Sequence, residues 1–301
     1  MLNEQISGPV GPDRVTLAFE TRGDPADPTV LLLMGIAAQL VHWPEGLLDA
    51  LVARGLRVVR LDNRDSGRST HLRDAPPADL PAALAGDLSS ASYSLSHMAA
   101  DAVGLLDALG VGAAHLVGAS MGGAIAQVIA IEHGSRARSL TTMMSTTGAP
   151  GVGQVHPEAM RAVFGGPPVT DREGAIARAQ RASAASGSPA YPTDACALAE
   201  TAGLAWDRGH DEAAILRQAV ATVASGDRTA RLRALRLPTL VVHGLADPIC
   251  DPSGGRATAE AIPGAELLLI EGMGHNLPPG LWARLADAIA ATVRRGEAAG
   301  G

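Results

Sequence analysis

The chain has 301 residues, is 47% hydrophobic and carries a formal net charge of −7, enough length for one large core with room for an inserted subdomain. It contains no lysine and only 2% aromatic residues, so it has neither the basic track nor the stacking platforms that nucleic acid requires. Two cysteines, Cys196 and Cys250, form no disulfide framework, no apolar run approaches the roughly 20 residues that span a bilayer, and the polar start Met1–Gln5 has no secretory pattern; a cytoplasmic protein is expected.

Val15 to Arg22 alternates apolar and polar side chains, the period of a half-exposed strand. After a Gly/Asp/Pro turn, Thr29 to Met34 is continuously apolar, as expected of a strand buried on both faces. It runs into the short loop Gly35-Ile36-Ala37-Ala38. Pro44 opens a helix with Leu47, Leu48, Leu51 and Val52 on its inner stripe, closed by Gly55. Leu56 to Leu61 is the next buried strand. The polar loop that follows, Asp62-Asn63-Arg64-Asp65-Ser66-Gly67-Arg68-Ser69, lacks the lysine and spacing of a phosphate loop and reads as a self-bonded turn. Residues 71–93 read as a surface excursion with one helical turn near Leu80 to Leu84. Ser94 caps a helix that carries Met98, Ala102, Leu105 and Leu109 on one face.

The apolar run Ala113 to Val117 then leads through Gly118-Ala119-Ser120-Met121-Gly122 into a helical pattern from Gly123 to Ala130. Strand, sharp turn and helix with Gly-x-Ser-x-Gly at the turn is the arrangement that lifts a serine hydroxyl to the end of a sheet. Arg138 to Ser145 is another strand. From 152 to 228 no strand pattern survives, and helices are expected near 157–164, 171–186, 193–208 and 211–225. The last is capped by Asp211, with Ile215, Ala219 and Val223 on one side. The predicted division is a core of residues 1–151 and 229–301 with a helical cap at 152–228. Strands return at Thr239 to Val242 and Ala265 to Ile270, with a helix from Pro252 between them. A final helix carries Leu281, Leu285 and Ile289, and Arg294 to Gly301 reads as a frayed tail. Strands alternating with helices predict an α/β fold with a mostly parallel sheet covered on both faces.

A serine at such a turn needs an acid and a histidine after later strands, in that order. Asp247 follows Val242 and His275 follows Ile270, which supplies both. The imidazole takes the serine proton, and a buried carboxylate fixes its tautomer. Donors for the developing oxyanion are expected from the N–H groups of Met121 and Ile36. Asp251 competes for the acid role but precedes Pro252 like a helix cap, and Glu271 reads as solvent-facing. His243 and His42 are candidates to line the site. His71, His97, His115, His133, His156 and His210 read as surface or cap residues. No clustered ligands suggest a metal, and the chemistry calls for no cofactor.

The segments Leu31 to Gly35, Asp62 to Ser69, Gly118 to Gly122, His243 to Pro248 and Gly272 to His275 together resemble an α/β-hydrolase. Within that fold they resemble the bacterial serine carboxylesterases of the aclacinomycin methylesterase type, although Ile36 stands where that pattern has glycine. The resemblance implies an eight-stranded sheet with its second strand antiparallel, a helical cap over the pocket, and an oxyanion hole from the amides of Ile36 and Met121. The substrate pocket is expected to include Trp43, Met143 or Met144, Tyr191 and Trp206, with the cap arginines Arg161, Arg178 and Arg181 in solvent. The expected activity is hydrolysis of small to medium uncharged esters, with a small molecule as partner and neither nucleic acid nor membrane. A perhydrolase, a C–C bond hydrolase and a non-catalytic ligand-binding member of the fold remain alternatives, and the oligomeric state is left open.

Overall fold

Apolar runs five or six residues long supply the centre of a single eight-stranded sheet, described for residues 2–300 in a computed structural model. In chain order the first half contains β1 (Gln5–Ile6), β2 (Ala18–Arg22), β3 (Thr29–Leu33), α1 (Glu45–Val52), β4 (Arg57–Leu61), α2 (Leu80–Leu84) and α3 (Leu95–Ala108). It ends with β5 (Ala114–Ala119), α4 (Met121–Glu132) and β6 (Ala137–Met143). Five helices follow before the next strand: α5 (Pro157–Phe164), α6 (Arg172–Ser186), α7 (Ala195–Arg208), α8 (Glu212–Ala224) and α9 (Thr229–Leu232). The chain closes with β7 (Thr239–Gly244), α10 (Ser253–Ala261), β8 (Glu266–Ile270) and α11 (Trp282–Gly300).

The strand order is β1-β2-β4-β3-β5-β6-β7-β8. β2 is antiparallel to both neighbours, and every pair from β4 to β8 is parallel. Side chains alternate across the central strands and so build two apolar layers. Leu31, Leu33 and Leu116 pack on α3 and α4, while Val30, Leu32 and Val117 pack on α1 and α11. Each fully buried leucine is worth about 1.5–3 kcal/mol in transfer terms, so these layers hold the sheet rigid beneath its loops.

Three expectations are corrected. The strand predicted from Val15 begins at Ala18, with Val15 reduced to a bridge to Val10. The tail predicted to fray from Arg294 is helical through Gly300, and Glu297 is bonded rather than free: its Oε1 lies 3.0 Å from His115 Nε2 and 3.2 Å from Arg138 Nη1. His115, read as a surface residue, is therefore buried in β5, with its other ring nitrogen 2.9 Å from Ser139 Oγ. Polar residues at the end of α11 hid the docking because their partners are ions and hydrogen bonds rather than apolar faces.

Candidate active site

Of the five non-glycine residues at positive φ among the described residues, four sit at the carboxyl edge of the sheet, the fifth being Arg14. Ala37 after β3, Asp65 after β4, Ser120 after β5 and Met144 after β6 all have positive φ, at 62°, 62°, 56° and 42°. Left-handed non-glycine residues cost of order 1–3 kcal/mol and cluster where function requires them. In parallel α/β sheets this is also the edge where ligands bind.

The turn at Ser120 is sterically forced. Its φ and ψ are 56° and −123°, its N–H donates to the Met143 carbonyl at 2.9 Å, and its carbonyl accepts from Gly123 N–H at 2.9 Å. A Cβ on Gly118 would lie 2.1 Å from the Gly122 oxygen, and one on Gly122 would lie 2.0 Å from the Leu33 oxygen. Only glycine fits both positions, which is why the motif has this spacing. The loop after β3 crosses directly beside the serine: a Cβ on Gly35 would sit 3.0 Å from Ser120 Cβ and 3.4 Å from its Oγ. The backbone N–H groups of Ile36 and Met121 find no acceptor among the described residues.

Asp247 and His275 meet across the loops after β7 and β8. His275 Nδ1 donates to Asp247 Oδ2 at 2.7 Å, while Asp247 Oδ1 accepts from the amides of Ile249 and Cys250 at 2.8 and 2.9 Å. The carboxylate side chain is 0% exposed and the imidazole 14%. His243 lies behind them, fully buried, 3.6 Å from Asp247 Oδ2, with its Nε2 donating to the Cys250 carbonyl at 2.7 Å. Burial pushes its pKa below the usual imidazole value, so it backs the pair as a neutral group. Asp251 does not join them. Its side chain accepts from the amides of Ser253 and Gln154, both at 2.8 Å, so it ties the start of α10 to the loop before α5, while the N-cap position itself falls to Pro252.

The histidine loop is gripped by the link between α6 and α7. His275 N–H donates to the Ser186 carbonyl at 2.7 Å, and Gly274 N–H donates to Ser188 Oγ at 2.9 Å. Ser188 Oγ in turn donates to Asn276 Oδ1 at 2.5 Å. On the other side, the loop after β4 is more than the self-bonded turn expected of it. Arg208 at the end of α7 pairs with Asp62, and Arg217 on α8 forms a fork on Asp65 with both contacts at 2.8 Å. All four side chains are buried.

Two expected pocket residues are corrected. Trp43 and Met143 are fully enclosed in the layer with Leu47, Leu48 and Leu51, so neither presents surface to a ligand. The pleat places Met143 in the layer formed with α1 and α11, and Trp43 belongs to the same layer. Tyr191 and Trp206 are half-buried, the latter with its ring 4.9 Å from that of His210. Ile215 and Ala219 are half-buried, but the inner face of α8 is Ala214, Arg217, Gln218 and Ala221 rather than the predicted stripe. Arg178 is paired with Glu212 at 2.7 Å instead of being solvated, whereas Arg161 and Arg181 are exposed. Sequence reasoning missed Ser188, Arg208, Arg217 and Gln218. The sequence held no signal for them, because Arg64 and Arg68 in the same loop already match the charges of Asp62 and Asp65.

The profile of the alpha/beta hydrolase fold matches residues 28–278. Rhodomycin D methylesterase of Streptomyces peucetius is 32% identical over 94% of this chain and 96% of its own length. Among solved structures, a thermophilic esterase from Thermogutta terrifontis superposes with a TM-score of 0.71 at 23% identity, covering 98% of this chain and 99% of that one. An enol-lactonase from Burkholderia xenovorans LB400 gives 0.68 at 22%, over 94% and 97%. The last two comparisons reproduce the fold, and the first carries the methylesterase resemblance along nearly the whole chain. The protein belongs to the α/β-hydrolase family.

Proposed function

We propose that the protein is a cofactor-free serine carboxylesterase, with Ser120 as nucleophile, His275 as general base and Asp247 as the carboxylate that orients it. The observation that carries this reading is the His275–Asp247 hydrogen bond: 2.7 Å long, on a fully buried carboxylate whose other oxygen is already held by two amides. A carboxylate fixed in this way keeps the proton on Nδ1 and leaves the lone pair on Nε2. Nε2 takes the Ser120 proton as Oγ attacks the ester carbonyl. The tetrahedral oxyanion forms against the N–H groups of Ile36 and Met121, which have no other acceptor among the described residues. His275 then returns its proton to the leaving alkoxide, and water, activated by the same imidazole, releases the acid from Ser120.

Residues 152–228 act in this reading as the cap of the core formed by 1–151 and 229–301. The substrate is a small to medium uncharged ester. The full-length similarity to a methylesterase supports methyl esters as the first class to test, and Ile36 with Met121 gives the serine apolar neighbours. Tyr191 and Trp206 are the aromatic candidates to contact the acyl or alcohol group.

The test is a fluorophosphonate probe followed by a panel of methyl and other short alkyl esters, on wild type and Ser120→Ala. Labelling and hydrolysis are expected in wild type and absent in the variant. An unlabelled wild type, or near wild-type hydrolysis by Ser120→Ala, would overturn the reading.

A further inference from the structure

The loop after β3 is held from above by the helices between β6 and β7. Ala37 N–H donates to Gln218 Oε1 at 2.9 Å, and Gln218 Nε2 donates to the Arg64 carbonyl at 2.9 Å. Gln218 is fully buried on α8, so one side-chain amide joins the loops after β3 and β4 through its acceptor and its donor. Two residues further, Gln39 Nε2 donates to the carbonyls of Ala205 and Gly209, both at 2.8 Å, and Gln39 Oε1 accepts from Arg208 Nε at 2.9 Å. The loop needs such support. Ala37 sits at φ 62°, and the internal bond from Ala38 N–H to the Gly35 carbonyl is long at 3.3 Å.

We propose that Gln218 is a positioning residue for the oxyanion site: through it, α8 fixes the Gly35–Ala37 backbone so that the Ile36 N–H stays directed at the acyl oxygen. This rests on the roles given above to Ser120 and Ile36. The residue type follows from the two loops it joins. A carboxylate would accept from Ala37 but oppose the Arg64 carbonyl, and an apolar side chain would leave the buried Arg64 carbonyl without this donor and the Ala37 N–H without its acceptor. The helical segment then belongs to the catalytic apparatus, not only to the roof over it.

The test measures kcat and KM on a dissolved short-chain ester, with active sites counted by fluorophosphonate titration. In Gln218→Met, kcat per titrated site should fall about 10- to 100-fold, up to the cost of a misplacement near 1 Å and less than the roughly 10²–10³ lost when an oxyanion donor is removed outright. KM should stay within about threefold, since the uniform binding of substrate is not touched. In Gln218→Glu, activity relative to wild type should rise toward acid, as protonation restores a donor to Arg64. Arg178→Met, which breaks an ion pair within the same helical segment, should lower the melting temperature but leave kcat per site unchanged.

Wild-type kcat per site in Gln218→Met, with only the titratable fraction reduced, would overturn the proposal while leaving the Ser120 assignment intact. If Gln218→Met does not fold, a Gln218→Glu enzyme with wild-type kcat per site at every pH would overturn it instead. Turnover retained by Ser120→Ala would show that the underlying reading, rather than this inference, had failed.

Discussion

Two aspartates at the carboxyl edge of the sheet are buried to the same degree and do different work. Asp65 and Asp247 are each 3% exposed, and each accepts backbone N–H bonds as well as a cationic or titratable side chain. Asp65 faces Arg217, a guanidinium that is always charged and grips both carboxylate oxygens. Asp247 faces one nitrogen of His275, a ring that is partly exposed and able to exchange its proton. The first pair is a latch that seats α8 on the loop after β4. The second is a lever, because its cation exists only while the imidazole holds a second proton. The partner, not the buried acid, separates structure from chemistry.

Removing the acid from each pair tests that contrast most sharply. Asp247→Asn should preserve the fold but offer the imidazole the wrong tautomer partner, lowering kcat by about 10⁴. Asp65→Asn should leave the buried Arg217 with only the 3.8 Å contact to Asp211 as counter-charge and lower stability by up to about 3–5 kcal/mol, measured by denaturant unfolding, while the kcat of the molecules that remain folded changes far less. If Asp65→Asn removes activity at unchanged stability, or Asp247→Asn mainly unfolds the protein, the comparison fails.

A smaller effect is expected from the loop that holds the lever. Ser188→Ala deletes the acceptor for Gly274 N–H and the donor to Asn276, and kcat should fall about tenfold by analogy with other small displacements of catalytic groups. Ser188→Thr, which keeps the hydroxyl, should recover most of it. A Thr variant as impaired as Ala would point to packing instead of hydrogen bonding.

Protons should sharpen the contrast further. Burial holds His243 and His115 below the usual imidazole pKa, so the unfolded chain binds protons that the native one does not. Their contribution to stability is complete above about pH 6.5, the unfolded value, and is lost as pH falls toward the folded values, at a slope of up to about 1.4 kcal/mol per pH unit for each histidine. Replacing His243 with glutamine should flatten the acid limb of the melting curve. An unchanged limb would show that His243 is already charged in the fold. The smallest effect is expected at Asp251, whose oxygens are committed to the amides of Gln154 and Ser253. Asp251→Asn should retain nearly full kcat, and a loss matching that of Asp247→Asn would mean the wrong acid had been assigned.

The sequence alone determined the elements whose cause is local or periodic. Gly118 and Gly122 flank Ser120 because any Cβ there meets backbone, and that constraint is written in five consecutive residues. The apolar run at 29–34 and the Leu/Val-rich stretch at 56–61, between turn signals, read as buried strands, and the order of Ser120, Asp247 and His275 followed from the strand pattern around them. What no spacing rule could supply was partnership across 150 residues or more. Arg217 and Gln218 sit on a helix whose apolar pattern pointed to Ile215, Ala219 and Val223. Their burial became possible only when the fold brought Asp65, Ala37 and the Arg64 carbonyl within hydrogen-bond reach. Trp43 and Met143 likewise have the chemistry of a pocket lining, and only the pleat of β6 and the packing of α1 turned them inward. Hydrophobic periodicity reports which residues avoid water, whereas a buried polar side chain is stable only because of the particular groups it meets, and those are decided by the tertiary structure.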